Sequence, residues 1–328
     1  MKQTNKNTFG ILHDWLAHGL SCWLCTVVKT WGSAPVPKGS LMIFSPDSGI
    51  VGSLSGGCIE EDLLRQMSDG SLLALSERMN RPMMVVYGRT EEEQTRFSLP
   101  CGGQLHILVE YITPSTEYLR HFSLLNDALS GRIAIARRVS LADGSVETIA
   151  DHVTTGITLT DDAMEQGFYP EFQMLLVGAG EISRCVAELA KLVDFRVFVW
   201  DFREAFIKAW QVENVDLIEQ PVEKEIKERF SDKYNAIITL AHDPRLDDIV
   251  LMDALRTGAF YIGALGSEKT TKSRRERLKS LLEDENDLRK LHAPVGIEIG
   301  SKTPYEIAIS ILAEVIAVRA ALIRQTAL

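Results

Sequence analysis

The feature that most constrains the fold is a strand, glycine turn, helix and strand unit in residues 173–201, QMLLVGAGEISRCVAELAKLVDFRVFVWD. The apolar run 174–177 is short and ends at a glycine, as a buried parallel strand does. Gly178 and Gly180 let the backbone turn tightly, and the helix that begins at once presents its free N–H groups to that turn. Asp201 ends the second strand, where a dinucleotide fold carries its ribose-binding carboxylate. The unit predicts a Rossmann-type sheet with a pyrophosphate site at the glycine turn.

Ser183 stands where this fingerprint usually has its third glycine. The alternative is therefore a doubly wound sheet whose first loop holds no nucleotide, because a fold does not fix a function. Other loops that follow predicted strands in this half are expected at the same edge of the sheet, where ligands of such sheets bind. The predicted cofactor contacts of this half are Gly178, Gly180, Asp201, His242, Gly266 and Ser267.

Two patterns in the second half allow more than one interpretation. His242 and Asp243 have the chemistry of an acid and base pair, but Asp-Pro after a strand is also ordinary helix capping. The helix predicted over 268–281 is rich in Lys and Arg. These residues fit either a solvated face or phosphate binding beside Gly266 and Ser267. Both alternatives stay open at the level of the sequence.

Length and hydrophobic content predict two domains. A chain of 328 residues with 45 % hydrophobic content can bury two cores, and the stretch before the glycine unit is itself long enough for a domain. The polar stretch 151–170 carries few core residues, and we place the boundary inside it. The expected fold is α/β, with an N-terminal mixed α+β domain over 1–165 and a C-terminal Rossmann-like doubly wound parallel sheet over 166–328.

Charge and hydropathy indicate the class of partner. The 45 acidic residues outnumber the 35 basic ones and are spread through the chain, which argues against nucleic acid or an anionic membrane as the main partner. The first ten residues lack the apolar core of a signal peptide, and Glu314 interrupts the most apolar late stretch, 307–318. We therefore expect a cytoplasmic protein with a small ligand or a protein partner.

Five cysteines point to thiols rather than to a disulfide framework. Cys22 and Cys25 have the spacing of a CxxC motif, but they lie in a predicted strand, where residues three apart face opposite sides. We interpret both as core residues, and Cys185 on the helix after the glycine turn likewise. Cys58 and Cys101 differ, because each borders a pair of glycines.

The most distinctive loop of the first half is residues 52–58, GSLSGGC, followed by a helix with an acidic first turn. A glycine-rich loop leading into a helix N-terminus forms a cradle for an anion. Glu60 is predicted either to cap its own helix or to orient a ligand. The predicted cofactor contacts of this half are Ser53, Ser55, Gly56, Gly57, Cys58, Glu60, Cys101 and Gly102.

Motifs in both halves resemble the xanthine dehydrogenase accessory protein family, XdhC/CoxI. They follow one another in order along nearly the whole chain, which is more specific than any single motif. The motifs are GSAP at 32–35, GSLSGGCIE at 52–60, CGG at 101–103, GAG at 178–180, Asp201, His-Asp at 242–243, YIGALGS at 261–267, PVGIEIG at 294–300 and TPYEIAISILAE at 303–314.

The resemblance implies a chaperone that binds the molybdenum cofactor, molybdopterin, and protects it while a cysteine desulfurase helps to install its terminal sulfur. The chaperone then transfers the cofactor to the apo-enzyme of a molybdenum hydroxylase. Cys58 and Cys101 are the candidates for contact with the molybdenum or with the transferred sulfur. A homodimer is expected, and we predict that the nucleotide-type cleft faces the Cys58 loop across the domain or dimer interface.

Two other functions are consistent with the same residues. An NAD(P)-dependent oxidoreductase would bind its dinucleotide between Gly178 and Asp201 and its substrate in the first domain, although no proton donor stands out in the sequence. An enzyme that modifies the bound cofactor would carry a persulfide on Cys58 or Cys101.

Overall fold

A computed structural model of the chain describes residues 2–31, 37–54, 57–97, 103–150, 156–241, 243–282 and 284–325. It divides into two compact units, one ending at Pro170 and the other spanning Glu171–Gln325. The first unit contains two sheets and the second unit one, and each unit has its own apolar core. The two units are therefore described one after the other.

The first unit is built on a five-stranded antiparallel sheet with the order β3-β2-β1-β5-β4. Strands β2 and β3 pair as a hairpin around residues 46–49. The elements of the unit are α1 (Lys2–Ala17), β1 (Cys22–Trp31), β2 (Leu41–Ser45), β3 (Gly49–Gly52), α2 (Cys58–Ser68), α3 (Ser71–Met79), β4 (Met83–Tyr87), α4 (Glu91–Arg96), β5 (Gln104–Ile112), α5 (Thr116–Ser130), β6 (Ile135–Ser140), β7 (Val146–Ala150), β8 (Gly156–Leu159) and β9 (Ala163–Phe168).

Strand β1 is buried on both of its faces. Cys22 packs in a cluster with α1 and α5, whereas Cys25 packs in a second cluster with α2 on the other side of the sheet. The prediction that these two thiols are core residues on opposite faces is confirmed. Burial raises the pKa of Cys22 to about 12, and burial followed by the charge of Glu110 raises the pKa of Cys25. Cys22 and Cys25 therefore do not form a reactive CxxC pair.

A second sheet of the first unit has the order β7-β6-β9-β8. Strands β8 and β9 lie in the stretch 151–170, which the sequence analysis described as poor in core residues. That description was wrong for β9, because Ala163, Met164 and Phe168 are buried. The predicted boundary near residue 165 falls inside β9, which pairs with β6 along its whole length.

The second unit contains a parallel six-stranded sheet with the order β12-β11-β10-β13-β14-β15. The Rossmann-like doubly wound sheet predicted from the glycine unit is confirmed. The elements are β10 (Phe172–Val177), α6 (Glu181–Leu192), β11 (Phe195–Trp200), α7 (Glu204–Lys208), β12 (Asp216–Leu217), α8 (Val222–Glu228), β13 (Asn235–Thr239), α9 (Pro244–Leu255), β14 (Tyr261–Ala264), α10 (Glu268–Lys279), a 3-10 helix (Glu285–Lys290), β15 (Leu291–His292) and α11 (Pro304–Gln325).

Helices α8, α9 and α10 cover one face of this sheet through a shared apolar cluster, while α6 and α11 pack on each other outside that cluster. Since β10, β11, β13 and β14 run parallel, the loops that follow them emerge at one edge. The sheet therefore gathers the predicted ligand-binding loops of the second unit. Within the described residues, no helix combines the length and the apolar character needed to cross a membrane.

Candidate functional site

Gly52 ends the β2–β3 hairpin and directs the chain into the Cys58 loop. Its φ is +90°, and a Cβ at this position would lie 2.2 Å from the carbonyl oxygen of Leu41. Only glycine fits this left-handed conformation and this close approach to the neighbouring strand. Ser53 and Leu54 follow, and α2 begins at Cys58.

Glu60 fixes the start of this loop. One oxygen of its carboxylate accepts a hydrogen bond from the Ser53 hydroxyl at 2.6 Å and another from the Leu54 backbone N–H at 2.5 Å. The Leu54 side chain is buried in the cluster that contains α2. Glu60 therefore anchors the incoming loop to the first turn of its own helix, and the two roles predicted for it from the sequence stay predictions.

Cys58 is the first residue of α2 and is exposed. Gly57, as the N-cap residue, has no side chain to bond the first free N–H groups of the helix. The other described cysteines, Cys22, Cys25 and Cys185, are buried. Among the described thiols, Cys58 alone is thus open to a ligand, beside backbone donors that favour an anion.

Several predicted site residues lie outside the described residues. In the first unit these are Ser55, Gly56, Cys101 and Gly102, and in the second unit His242. Their predicted roles stay predictions. Among the residues that the structure does describe, no group of three or more His, Cys, Asp or Glu side chains is arranged to hold a metal ion.

In the second unit, Gly178 is required by close packing at the sheet edge. Its φ is +109°, and a Cβ would lie 2.7 Å from the Cα of Ala241 in the loop after β13. Its N–H donates to the carbonyl oxygen of Trp200 at 2.7 Å. Gly180 is different, because a Cβ there would meet nothing within 4 Å. Gly178 therefore lies where the ends of β10, β11 and β13 meet, and the absence of a side chain at Gly180 leaves open space over the start of α6.

Asp201 lies at the end of β11, as predicted, but its carboxylate is fully engaged. One oxygen accepts from the Ala179 N–H at 2.7 Å and from Nη2 of Arg203 at 2.7 Å. The other oxygen accepts from the N–H and from Nε of Arg203, both at 2.9 Å. Burial raises the pKa of Asp201, but these hydrogen bonds outweigh burial and hold the pKa below its usual value. The carboxylate therefore stays charged and closes the glycine turn.

Ser183, in the position of the missing third glycine, lies in the first turn of α6 and is buried. Its hydroxyl forms no hydrogen bond within the described part of the chain. Glu181 in the same turn pairs with Arg184 at 2.7 Å on the surface. The helix start therefore carries one acidic group, which is neutralised locally.

The loop after β14 contains Gly266 and Ser267. The Ser267 hydroxyl accepts from the Thr270 N–H at 3.2 Å and caps α10. A Cβ on Gly266 would lie 3.5 Å from Nη1 of Arg274, so this glycine borders a buried guanidinium. Both residues are placed at the expected sheet edge, in capping and packing roles.

The basic side chains of α10 lie in two environments, because Lys269, Lys272 and Arg277 are exposed, as on a solvated face, whereas Arg274 is not. Phosphate binding beside Gly266 and Ser267 stays a prediction. Arg274 is buried and donates to the Leu265 carbonyl and to Asp247, each at 3.0 Å. Arg277 donates to Asp248 at 2.5 Å. Burial raises the pKa of Asp247 to about 6, against the opposing charge of Arg274. These pairs fasten α10 and the loop after β14 to α9.

A polar cluster that the sequence analysis missed is centred on Glu314 in α11. Its carboxylate accepts from the Tyr261 hydroxyl at 2.6 Å and from the Gly296 N–H at 2.7 Å, and it lies 2.7 Å from Nδ1 of His292. The Tyr261 and His292 rings stack with centroids 4.4 Å apart. The only signal in the sequence is that an acid interrupts an apolar stretch, which shows that a buried carboxylate needs partners but not which ones.

Comparison with known proteins supports the same two-part architecture. Residues 15–87 match the model of the XdhC and CoxI family, and residues 174–315 match the model of the XdhC Rossmann domain. A solved structure, described as a xanthine dehydrogenase from Bacillus halodurans, superposes with a TM-score of 0.70 and is 22 % identical. That match covers 95 % of this chain and 96 % of the other.

Two curated relatives extend over most of the chain. A protein of Bacillus subtilis, named as a probable xanthine dehydrogenase subunit, is 27 % identical over 90 % of this chain and 92 % of its own. The molybdenum cofactor insertion chaperone PaoD of Escherichia coli is also 27 % identical, over 93 % of this chain and 85 % of its own. With both family models matched in order, the chain belongs to the XdhC and CoxI family.

Proposed function

We propose that this protein binds the molybdenum cofactor and inserts it into a molybdenum hydroxylase of the xanthine dehydrogenase type. The proposal is supported by family membership and by the relative that is named for molybdenum cofactor insertion. In this function the protein holds a cofactor made elsewhere and protects it while its terminal sulfur is installed. Its partners are the apo-hydroxylase and a cysteine desulfurase, and it acts in the cytoplasm as a homodimer.

The observation that carries the proposal is the exposed thiol of Cys58 at the first position of α2. An exposed thiol is open to a soft metal centre or to a transferred sulfur, both of which react with cysteine in its thiolate form. The backbone N–H groups of the same helix start suit the phosphate of the pterin. Glu60 holds this arrangement in place through Ser53 and Leu54.

The residues of the first unit would each perform a limited task. Cys58 would contact the metal or its sulfur, and the loop before it would cover the pterin phosphate with backbone donors. The described part of the loop contains no histidine or lysine. Ser55, Gly56, Cys101 and Gly102 complete the proposed set.

The experiment is to purify the protein from a host that makes the cofactor and from a host that cannot. Each sample is assayed for molybdenum and for the fluorescent oxidised pterin. We expect stoichiometric pterin in the first sample only. If neither sample contained pterin or molybdenum, the result would contradict the proposal.

Cys58→Ser then tests the site itself. If Cys58 holds the cofactor, this variant should lose most of the retained pterin. If it retains pterin but loses sulfur transfer, the result would favour an enzyme that works through a persulfide on Cys58. The matched control is Ser71→Ala, because Ser71 is also an exposed first helical residue after a glycine. The control variant should retain pterin like the unchanged protein.

A further inference from the structure

The carboxylate of Asp201 has no capacity left for a ribose. It accepts four hydrogen bonds, one from the Ala179 N–H and three from Arg203, and its side chain is 0 % exposed. A carboxylate offers about four lone-pair positions, so all of them are filled. In a dinucleotide fold that binds a ribose diol, the acid at this position must accept from the hydroxyls. Asp201 instead acts as a positioning residue.

The polar group that is accessible at this point is the guanidinium of Arg203, which is 33 % exposed. Two of its nitrogens, Nε and Nη2, form a fork on Asp201. Its third nitrogen, Nη1, donates to no acceptor among the described residues. A fixed guanidinium with one free edge is a suitable donor for a phosphate oxygen.

Two aromatic rings, those of Phe202 and Phe206, lie beside the guanidinium of Arg203. The guanidinium carbon lies 3.7 Å from the ring centroid of Phe206, which fixes the plane of the fork. It lies 5.5 Å from the ring centroid of Phe202, whose side chain is 56 % exposed. An exposed ring beside a planar cation is a stacking platform for a heterocyclic base.

The Ala179–Asp201 hydrogen bond places Arg203 next to the glycine turn, where Gly180 leaves open space over the start of α6. We propose that the end of β11 binds a nucleotide whose ribose carries a phosphate monoester. Arg203 contacts that phosphate and Phe202 stacks on the base. The site is built from residues of the second unit, and its ligand is a nucleotide in addition to the proposed pterin cargo.

The expected selectivity is moderate. Arg203 is already paired with Asp201, and it lies within electrostatic reach of Asp243, so the site has no excess of positive charge. Selection then depends on the free edge of the guanidinium rather than on net charge. One hydrogen bond to a charged group contributes enough for roughly a 10- to 100-fold preference.

The test measures binding of two matched ligand pairs to the full chain by calorimetry, NADP⁺ against NAD⁺ and 2′,5′-ADP against 5′-AMP. We expect the ribose-phosphorylated member of each pair to bind about tenfold more tightly or better. Arg203→Gln should remove this difference, because it takes away the proposed contact with the phosphate of the phosphorylated member of each pair. Equal affinity for both members of a pair, or no measurable binding of NADP⁺, would overturn the proposal.

Two further variants separate a binding role from a folding role. Arg203→Lys keeps the charge but not the fork, and it should retain part of the preference if the phosphate is contacted directly. Arg184→Gln removes another arginine of the second unit, one paired with Glu181 and Glu188, and should leave the preference unchanged. A loss of preference in this control variant would argue for a general charge effect and against the site.

A pterin assay distinguishes the two possible sources of the phosphate. Pterin retention from a cofactor-producing host should be the same for Arg203→Gln and for the unchanged protein. If the variant lost pterin while its preference for NADP⁺ stayed intact, Arg203 would serve the pterin phosphate, and the nucleotide proposal would be wrong. If pterin were absent throughout but the preference for NADP⁺ were present, only the chaperone function would fail.

Discussion

The carboxylate of Asp201 accepts a hydrogen bond from the backbone N–H of Ala179 at 2.7 Å, across 22 positions of the chain. This bond joins the end of β11 to the glycine turn after β10. The acid that the sequence marks as a ribose ligand is thus part of the turn itself, and the exposed group beside it is Arg203.

Gly178 and Gly180 should differ sharply in their tolerance of a side chain. We expect Gly178→Ala to lower the free energy of unfolding of the second unit by about 2–4 kcal/mol, because the new Cβ combines a positive φ with contacts of 2.7 Å to Ala241. Gly180→Ala has neither problem and should cost less than about 1 kcal/mol. Urea unfolding followed by tryptophan fluorescence measures both, and equal losses would contradict the geometry.

Cys58 should be the first described cysteine to react with an alkylating reagent. The thiolate is the reactive form, and burial raises the pKa of Cys22, Cys25 and Cys185, which leaves these thiols protonated as well as covered. Peptide mass spectrometry after brief treatment at pH 8 should find label on Cys58 well before these three. Rapid labelling of Cys25 in folded protein would be inconsistent with this core.

The anchor formed by Glu60 can be tested against its neighbour. Glu60→Ala removes the acceptor of the Leu54 N–H, so amide hydrogen exchange at Leu54 should become about tenfold faster or more. Glu61→Ala is the matched control, because Glu61 is an exposed acid in the same first turn of α2. Similar exchange rates in the two variants would show that Glu60 does not hold the loop.

His121 should make the first unit less stable in mild acid. Burial, and then the charge of Arg137, lower its pKa from 6.5 to about 3, so the folded state keeps His121 neutral while the unfolded chain takes up a proton below pH 6.5. The unfolded state binds more protons in this window, so the free energy of unfolding decreases as the pH is lowered below 6.5, by at most about 1.4 kcal/mol per pH unit. His121→Leu should remove this slope between pH 6.5 and 4, and His18→Gln, at an exposed position, should retain it.

Glu314 should contribute more to stability than an acid at the start of the same helix. Glu314→Ala leaves the Tyr261 hydroxyl and the Gly296 N–H without their acceptor, which we expect to cost about 2–4 kcal/mol. Glu306→Ala removes only capping contacts to the N–H groups of Lys302 and Thr303, worth about 1 kcal/mol. Thermal or urea unfolding of the two variants provides the comparison, and the reverse order would refute the assignment.

Local patterns were sufficient to predict the elements whose signals are contained in a few residues. The glycine unit identified β10, α6 and β11 because a strand, a turn and a helical stripe follow one another there. The period of two along a strand separated Cys22 from Cys25. The start of α11 at Pro304 also depends on local residues, because Thr303 and Glu306 form a reciprocal capping box there.

The structural features that the sequence did not predict depend on contacts between distant segments of the chain. Strand β9 is stabilised by pairing with β6, and its own composition shows little of this. The sequence of α10 does not show whether an arginine faces water or pairs with Asp247. Only packing against α9 determines that Arg274 pairs with Asp247. The hydrogen-bond partners of Asp201 likewise come from two places, the glycine turn at Ala179 and the side chain and backbone of Arg203. The spacing between the glycines and Asp201 does not predict this arrangement.

The carboxylate of Glu314 also sets the order in which the second unit can be completed during synthesis. Tyr261 is translated 53 residues before the acid that accepts its hydroxyl. Until the ribosome has produced α11, β14 and the segment that contains Gly296 lack the group that joins them. In nascent chains arrested before Glu314, the Tyr261 hydroxyl and the Gly296 N–H therefore lack the acceptor that they share in the folded unit.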